Sequence, residues 1–314
     1  MAMKTLEELT SQTSVSSWIP SEAYADFILD ASVCYGQLSG KVTAVEYDVA
    51  AGMGKTVKIR MVPPRAAQSP IIGGCLSDVS NVFNVASITI GQIADYDYLW
   101  EFALWESKGP VKEKIMNEMA KALAKKRDQN LYACLTGVGV AGYNSTSIAW
   151  GGGSRVTLNV TCASAVSDGA QTGGMKIVRS VFNSVASAIG TLKGRGMNPD
   201  TVILHPSVAK YFYYRDYTSN PYIYGAVKFD GSKLSEIAGV KVVECCNANT
   251  CSNTSGASVV FVLDSSRALA EAWGMRPAFY EQFIPDCNKT KLTTWSYWGC
   301  SVVSVGAIVS IVNP

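Results

Sequence analysis

The feature that most constrains the fold is one long amphipathic helix at residues 110–135. Gly109 interrupts the preceding segment, and Pro110 suits the first helical position, where a backbone N–H would have no partner. At about 1.5 Å per residue the helix spans roughly 40 Å, which is wider than the core of a small domain. Helical spacing predicts one buried stripe of Val111, Ile115, Met119, Ala122, Leu123, Leu131, Cys134 and Leu135. A long helix with one buried stripe is typical of an elongated subunit.

The same helix is locally basic. Between residues 108 and 128 the chain has seven Lys or Arg residues against three acidic ones, whereas the net charge of the whole chain is only +2. The favoured interpretation is a solvated helix face, and the alternative is weak, sequence-independent contact with nucleic acid phosphates. The basic residues are Lys108, Lys112, Lys114, Lys121, Lys125, Lys126 and Arg127.

Composition indicates a globular protein that has partners. The 314 residues are 48% hydrophobic and only 17% charged, so a sizeable core is available and much of the surface is expected to be covered by other subunits. No apolar run reaches the roughly 20 residues that span a bilayer, and residues 1–8 lack the apolar core of a secretory signal. We expect a protein made in the cytoplasm, with no membrane partner.

Around the long helix the pattern of strands and helices predicts an α+β fold. Alternating residues in 41–49 and 56–62 predict a hairpin, and residues 41–95 as a whole resemble an extended projection with too little apolar sequence for its own core. A second helix is expected after Gly173-Gly174 and ends near Gly194. Later elements are a strand at 201–204, a helix from 205, a loop at 213–231, strands at 240–244, 258–263, 268–273, 278–283 and 292–298, and a last apolar stretch at 302–312.

One motif suggests nucleotide chemistry. Gly54-Lys55-Thr56 resembles the end of a phosphate-binding loop, in which backbone N–H groups and a lysine hold phosphates. The first glycine of the full motif would fall at Val49, and a β-alternating stretch follows where a helix is required. A glycine-rich turn is the favoured interpretation. An NTP-binding enzyme that uses these residues remains a distant alternative.

Other candidate groups favour structural roles. His205, the only histidine, has no nearby acid or nucleophile motif, and residues 264–267 suggest a turn rather than a nucleophile site. Nine cysteines cannot all pair within one chain, so most are expected to be free thiols. The cluster of Cys245, Cys246 and Cys251 does not have the spacing of a zinc or redox site. We therefore expect no catalytic residue, no cofactor and no metal.

Tyrosines concentrate between residues 211 and 224. They could stack on bases, but aromatic clusters of this kind more often fill interfaces between subunits, which is the interpretation we favour. The residues are Tyr211, Tyr213, Tyr214, Tyr217, Tyr222 and Tyr224.

The order of these elements resembles the major capsid proteins of tailed bacteriophages with the Hong Kong 97-like fold. The resemblance extends over nearly the whole chain and rests on local phrases in a fixed order. The phrases are 96–101 (YDYLWE) before the long helix, 128–137 (DQNLYACLTG) at its end, 198–206 (NPDTVILHP), 221–225 (PYIYG), 237–243 (IAGVKVV), and the run from Ala268 through Trp273, Phe283 and Trp298 to 306–309 (GAIV).

The resemblance implies a set of domains. Residues 1–40 would form an N-terminal arm, 41–95 an extended β-hairpin loop, and 96–165 a peripheral domain that contains the spine helix. Residues 166–274 would form the axial domain, and 275–314 the strands that return to the peripheral domain. Within the extended loop, residues 52–74 are expected to contact neighbouring subunits. Some members of the family link chains through a Lys–Asn isopeptide bond; Lys55 and Lys58 lie in the corresponding loop, but no partner asparagine can be aligned.

The family implies a structural protein rather than an enzyme. Its members assemble into hexamers and pentamers that form an icosahedral virion shell around double-stranded DNA, in the host cytoplasm. The expected partners are copies of the chain itself, packaged DNA through non-specific contacts, a portal protein, a separate scaffolding protein and cement proteins. An encapsulin-type nanocompartment shell protein is the main alternative, and a tail or other surface protein is a further one.

Overall fold

The computed structural model describes residues 37–38, 41, 43–49, 56–61, 84–101, 111–136, 154–157, 170–213, 221–231, 233–246, 248 and 258–312. Its helices are α1 (Val111–Thr136), α2 (Ala170–Gly194), α3 (Pro206–Tyr213) and α4 (Pro221–Ala226). Its strands are β1 (Thr43–Asp48), β2 (Thr56–Met61), β3 (Asn84–Thr89), β4 (Gly91–Trp100), β5 (Ser154–Thr157), β6 (Thr201–Leu204), β7 (Val227–Asp230), β8 (Lys233–Ile237), β9 (Val240–Glu244), β10 (Ser258–Leu263), β11 (Leu269–Ile284), β12 (Lys289–Val302) and β13 (Ile308–Val312).

The strands form three sheets. The four-stranded sheet has the order β1-β11-β12-β4, and the seven-stranded sheet has the order β5-β13-β10-β6-β9-β8-β7. The third sheet, which we call the arm, consists of β2 and β3 paired antiparallel. The hairpin expected between residues 41–49 and 56–62 is therefore wrong. Strand β1 instead runs parallel to β11, more than 200 residues further along the chain, and β2 takes β3 as its partner.

The seven-stranded sheet is covered on both faces. Val202 and Leu204 of β6 pack with helices α2 and α3 on one face, whereas Ile203 between them packs in a second cluster with the end of α1. Because both faces are buried, the central strands have continuous apolar runs, as in 202–204 and 259–263. Strand β13 joins this sheet beside β10, whereas β12 lies between β11 and β4 in the four-stranded sheet.

Helix α1 joins the two large sheets. Its first half packs Val111, Ile115 and Met119 against Leu99 and Leu292 of the four-stranded sheet. Its last turns lie in a cluster that contains residues of both sheets, with the Tyr132 ring edge-on to Phe261 at 5.7 Å. The buried stripe predicted from the sequence is confirmed except at Ala122, which is exposed. Burial broadens near the end because neighbours lie on two sides.

Other sequence predictions need correction. Helix α2 begins at Ala170, so Gly173 and Gly174 lie inside it rather than before it. The segment 213–231 is not one loop, since α4 and β7 lie within it. The separate strands expected at 268–273 and 278–283 are one strand, β11, with register shifts near Met275. Residues 95 and 274, two of the expected domain limits, lie inside β4 and β11.

Candidate interaction surfaces

Among the described residues, exposed aromatic side chains are concentrated on a ribbon formed by β4 and the far parts of β11 and β12 (residues 91–100, 278–284 and 289–298). Side chains alternate along each strand, and Leu292 faces helix α1, so the residues on either side of it face away. On that outer face Lys289 is opposite Trp100, and Lys291 is opposite Tyr98.

These outer residues contact each other closely. The Lys289 ammonium lies 4.4 Å from the Tyr98 ring centroid, and that of Lys291 lies 5.3 Å from Tyr96. Tyr280 stacks on Trp295 with centroids 4.3 Å apart. Cation–π contacts and stacking hold such side chains in defined positions on an exposed strand. The outer face is therefore an ordered, aromatic and positively charged surface.

Exposed large apolar side chains are concentrated here. Five of the eight such residues in the described part of the chain lie on the ribbon: Tyr96, Phe279, Tyr280, Phe283 and Tyr297. Phe279 and Phe283 are on the side that faces α1, yet they are 42% and 53% exposed, so the helix covers that side incompletely. Exposed apolar patches of this kind mark sites of interaction with other molecules.

The arm starts beside the ribbon and has little core of its own. Ile88 and Ile90, at its root, pack on Ala270 and Ala272 of the four-stranded sheet, whereas Val85 is 53% exposed. The root crosses the sheet closely: a Cβ on Gly299 would lie 2.3 Å from the carbonyl oxygen of Thr89. Only glycine permits this approach without movement of the backbone. The contacts of Ile88, Thr89 and Ile90 with the four-stranded sheet therefore fix the position of the arm.

Arg127 of α1 is not on a solvated face. Its Nε donates to Glu271 Oε2 at 2.8 Å, its Nη2 also contacts that oxygen, and the Trp298 indole N–H donates to it at 2.8 Å. The guanidinium lies 4.5 Å from the Trp273 ring centroid and reaches Glu46 at 3.2 Å. Glu271 is fully buried, so this network neutralises a carboxylate inside the protein.

Other charges of α1 are also paired within the chain. Lys112 contacts Glu281 of the ribbon at 2.6 Å, and Lys121 contacts Glu118 at 2.7 Å. The Lys112–Glu281 pair is exposed and is compatible with the solvated basic face that the sequence suggested, whereas Arg127 departs from it. The Lys121–Glu118 pair has the i,i+3 spacing that a helical sequence reveals, whereas the partners of Lys112 and Arg127, at positions 46, 271 and 281, are far away in the chain.

Asp128 anchors the N-terminal part of the chain. Its buried carboxylate accepts the backbone N–H groups of Gln37 at 2.6 Å and Leu38 at 3.3 Å. The Gln37 side-chain oxygen accepts the N–H of Cys246 at 2.8 Å. Asp128, the first residue of the segment 128–137, therefore holds residues 37 and 38 against the end of α1. The rest of the expected N-terminal arm, residues 1–36 and 39–40, lies outside the described residues.

His205 caps helix α3. Its Nδ1 accepts the backbone N–H of Ser207 at 3.0 Å and lies 2.8 Å from the Ser207 hydroxyl oxygen. Burial lowers the pKa of the imidazole, and a hydrogen bond to the Cys246 backbone opposes this effect. The neutral ring is therefore favoured as the acceptor at the helix start.

Residues 264–267 form the expected turn. The N–H groups of Arg267 and Ala268 donate to the Asp264 carbonyl, at 3.1 and 3.0 Å. The Asp264 carboxylate accepts the N–H of Asn198 at 3.0 Å and that of Ser266 at 3.1 Å. These hydrogen bonds hold residues 264–267 in the turn that the sequence suggested.

Two of the three clustered cysteines lie in the described part of the chain. Cys245 is buried and forms no disulfide, and Cys246 is disulfide-bonded, while Cys251 lies outside the described residues. Among the described residues no group of three or more His, Cys, Asp or Glu side chains could hold a metal ion.

Thr56 starts strand β2, which pairs with β3. A phosphate-binding loop would open a helix at this point, so the structure contradicts that interpretation at Thr56. Gly54 and Lys55 lie outside the described residues.

The tyrosine cluster is only partly visible. Tyr211 packs against the core, and the Tyr213 hydroxyl donates to Glu244. The pKa of Tyr213 is raised, mainly because the phenol is partly buried and next because it donates that hydrogen bond to Glu244. The side chains of the other four tyrosines lie outside the described residues.

The sequence did not single out the ribbon, because its aromatic residues come from three separated segments.

None of the helices in the described segments combines the length and the apolar character that crossing a membrane requires.

No protein-family model and no curated protein sequence matches the chain. Solved structures do match over nearly its full length. The capsid of cyanophage P-SCSP1u aligns with a TM-score of 0.69 and 14% identity, over 93% of this chain and 92% of that chain.

Two further structures give the same result. The mature capsid of bacteriophage PhiM1 aligns with a TM-score of 0.60 and 11% identity, over 99% of both chains. The capsid of a native gene transfer agent (GTA) particle aligns with a TM-score of 0.62 and 9% identity, also over 99% of both chains. The chain therefore has the α+β fold of phage capsid proteins, and the fold expected from the sequence resemblance is confirmed.

Proposed function

We propose that this chain is a major capsid protein that assembles into hexamers and pentamers and closes an icosahedral shell around double-stranded DNA. The observation that carries the proposal is the fold likeness to capsid structures over nearly the full length of both chains. Such a shell protein acts by binding copies of itself, so its functional residues lie on its surfaces rather than in a catalytic cleft.

The exposed surfaces support self-assembly. The arm has too little apolar surface for its own core beyond the root, and the ribbon exposes five large apolar side chains. Aromatic residues are enriched in interfaces between protein subunits. Heterologous contacts between unlike surfaces, such as an arm and a ribbon, close into rings when the rotation between neighbours permits.

The sheets suggest how the expected domains are built. We assign the four-stranded sheet with the first half of α1 to the peripheral domain, and the arm to the extended loop. The seven-stranded sheet with α2 and α3 would be the axial domain, with β5 and β13 included because they pair there. Relative to the limits that the sequence resemblance implied, these assignments move strands β1, β5 and β13 and the first residues of β4 and β11.

The remaining partners follow from the same proposal. Packaged DNA would be contacted without sequence preference, and the ion pairs of Lys112, Lys121 and Arg127 reduce the positive charge that α1 can present to it. A portal protein, a separate scaffolding protein and cement proteins would complete a virion assembled in the host cytoplasm. No catalytic step is part of this function.

Electron microscopy of the chain expressed alone, beside the chain from its native source, tests the proposal. Closed icosahedral particles, or hexameric and pentameric rings, are expected. DNA inside the native particles would support a virus, whereas protein cargo would support an encapsulin-type compartment. Compact monomers from both sources would contradict a shell function.

A further inference from the structure

Two buried cysteines face each other where α1 meets the four-stranded sheet. Cys134 lies in the last turn of α1 and Cys300 lies in β12, and their sulfur atoms are 2.9 Å apart. Both residues are at most 1% exposed, and neither forms a disulfide in this structure. The Cys300 sulfur also lies 3.7 Å from the Asn130 carbonyl oxygen, and that of Cys134 lies 3.8 Å from the Cys300 carbonyl oxygen. Backbone atoms of both elements therefore position the pair.

We propose that Cys134 and Cys300 are a site of oxidative modification, where an intrachain disulfide joins the end of α1 to β12. A disulfide has sulfur atoms about 2.05 Å apart, so closing the bond needs a combined movement of only about 0.9 Å. The proposal concerns the subunit itself and does not depend on the shell function.

The step balances with a peroxide as oxidant. One thiol, as thiolate, attacks a peroxide oxygen and becomes a sulfenic acid, with release of water after protonation. The second thiol then attacks the sulfenic sulfur, the S–S bond forms, and a second water leaves. The peroxide is reduced by two electrons, and the two thiols are oxidised by two electrons together.

The surroundings slow the first step of this reaction. Burial raises the pKa of the Cys300 thiol well above its usual range, and the hydrogen bond with Cys134 raises it further. The reactive thiolate is therefore scarce near neutral pH. The pair would stay reduced during folding in a reducing compartment and would oxidise after release into an oxidising one.

The bond would close a very large loop, because 166 positions separate the two cysteines. A crosslink between distant residues restricts the unfolded chain more than a local one does. It would also hold α1 against β12 at the place where the helix leaves the four-stranded sheet. We expect oxidation to raise the Tm of the subunit by at least about 5 °C.

Peptide mapping of the full-length chain tests the site directly. The purified protein is treated with hydrogen peroxide, its remaining thiols are blocked under denaturing conditions, and the non-reduced digest is analysed by mass spectrometry. A peptide pair that links Cys134 to Cys300, and disappears on reduction, is expected. Recovery of both residues as blocked thiols, or as separate sulfinic acids, would overturn the proposal.

Variants separate this bond from other cysteine chemistry. Cys134→Ser and Cys300→Ser should each lose the linked peptide and the peroxide-dependent rise in Tm. Cys287→Ser, at an exposed free thiol, should retain both. If the serine variants fail to fold, the peptide map of the unmodified chain still decides, because it needs no substitution. A rise in Tm that persists in Cys300→Ser would overturn the proposed cause.

Discussion

At the residue scale, Arg127 carries more energetic weight than any other basic side chain described on α1. It provides two of the three hydrogen bonds that the fully buried Glu271 receives on Oε2, and the other carboxylate oxygen has no partner in the described structure. A buried carboxylate that loses its counter-charge pays the full cost of desolvation. The basic pattern of the helix therefore includes one residue whose main role is internal.

We expect Arg127→Met to lower the free energy of unfolding by about 3–5 kcal/mol, because it leaves Glu271 buried and unpaired. Urea denaturation of the subunit measures this change. Lys112→Met is the matched control, since its ion pair with Glu281 is exposed on both sides and should contribute less than about 1 kcal/mol. Equal effects of the two substitutions would contradict the internal role of Arg127.

His205 predicts a pH dependence of stability. Its pKa in the folded protein is lowered, mainly by burial, whereas the unfolded chain titrates near the ordinary value of about 6.5. The unfolded chain then binds more protons between the two values, so stability present above about pH 6.5 is lost as the pH falls through this window.

The test compares urea midpoints of the native chain and His205→Asn at about pH 7.5 and about pH 5.5. Asparagine can still accept the Ser207 N–H but does not titrate, so the variant should lose less stability on acidification. An identical loss in both proteins would show that other groups account for the pH dependence.

At the element scale, the crossing of the arm root over β12 depends on one glycine. We expect Gly299→Ala to destabilise the subunit by about 1–3 kcal/mol and to displace the arm, because the added methyl group meets the backbone of Thr89. Thermal unfolding and electron microscopy of assembled particles measure the two effects. Gly306→Ala is the control, since its nearest neighbour would be the Ser304 hydroxyl at 3.7 Å. A Gly299→Ala protein with native stability would contradict the close approach.

We expect substitutions on the outer face of the ribbon to impair assembly without unfolding the subunit. Tyr96 and Tyr280 are 62% and 46% exposed, so Tyr96→Ser with Tyr280→Ser should reduce the yield of closed particles at least about tenfold while the isolated subunit keeps its fold. Circular dichroism and particle counts by electron microscopy measure the two properties. Lys241→Ser, on an exposed position of β9, should leave both unchanged. Normal assembly of the double variant would remove the ribbon from the candidate interfaces.

At the scale of the whole molecule, the arm is expected to act between subunits. Replacing residues 62–83 with Asn-Gly would join β2 to β3 by a two-residue turn that suits the Met61–Asn84 pair. We expect a folded subunit that closes shells poorly, because the root contacts remain while the distal contacts are removed.

Size-exclusion chromatography and electron microscopy measure this outcome. A matched variant that keeps the length of 62–83 but replaces it with a Gly/Ser linker separates loss of contacts from loss of length. Normal shells from the shortened chain would show that the distal segment is not needed for closure.

Local patterns predicted several elements closely. Strands 201–204, 240–244 and 258–263 were predicted with the bounds that the structure has, and α1 within one residue at each end. These predictions depend on neighbours in the chain: helical spacing of apolar residues, short apolar runs and the turn residues between them. The interface role expected of the tyrosine cluster stays a prediction.

Long-range contacts could not be predicted in the same way. The sequence motif near Gly54 suggested a turn between two paired strands, but β1 pairs with β11 and β2 with β3. The residues of a strand do not identify which other strand pairs with it when the chain contains many apolar strands. The ribbon escaped prediction for the same reason, because its outer face combines alternate residues from three strands.

The sequence by itself determined the α+β character, the position of the long helix and the order of elements that resembles phage capsid proteins. Hydrophobic periodicity and turn chemistry encode these properties over a few residues. Only the tertiary structure decided that Arg127 is internal, that the ribbon exposes an aromatic face and that Cys134 meets Cys300. Each of these results depends on packing between residues that are far apart in the chain, and no local pattern specifies such packing.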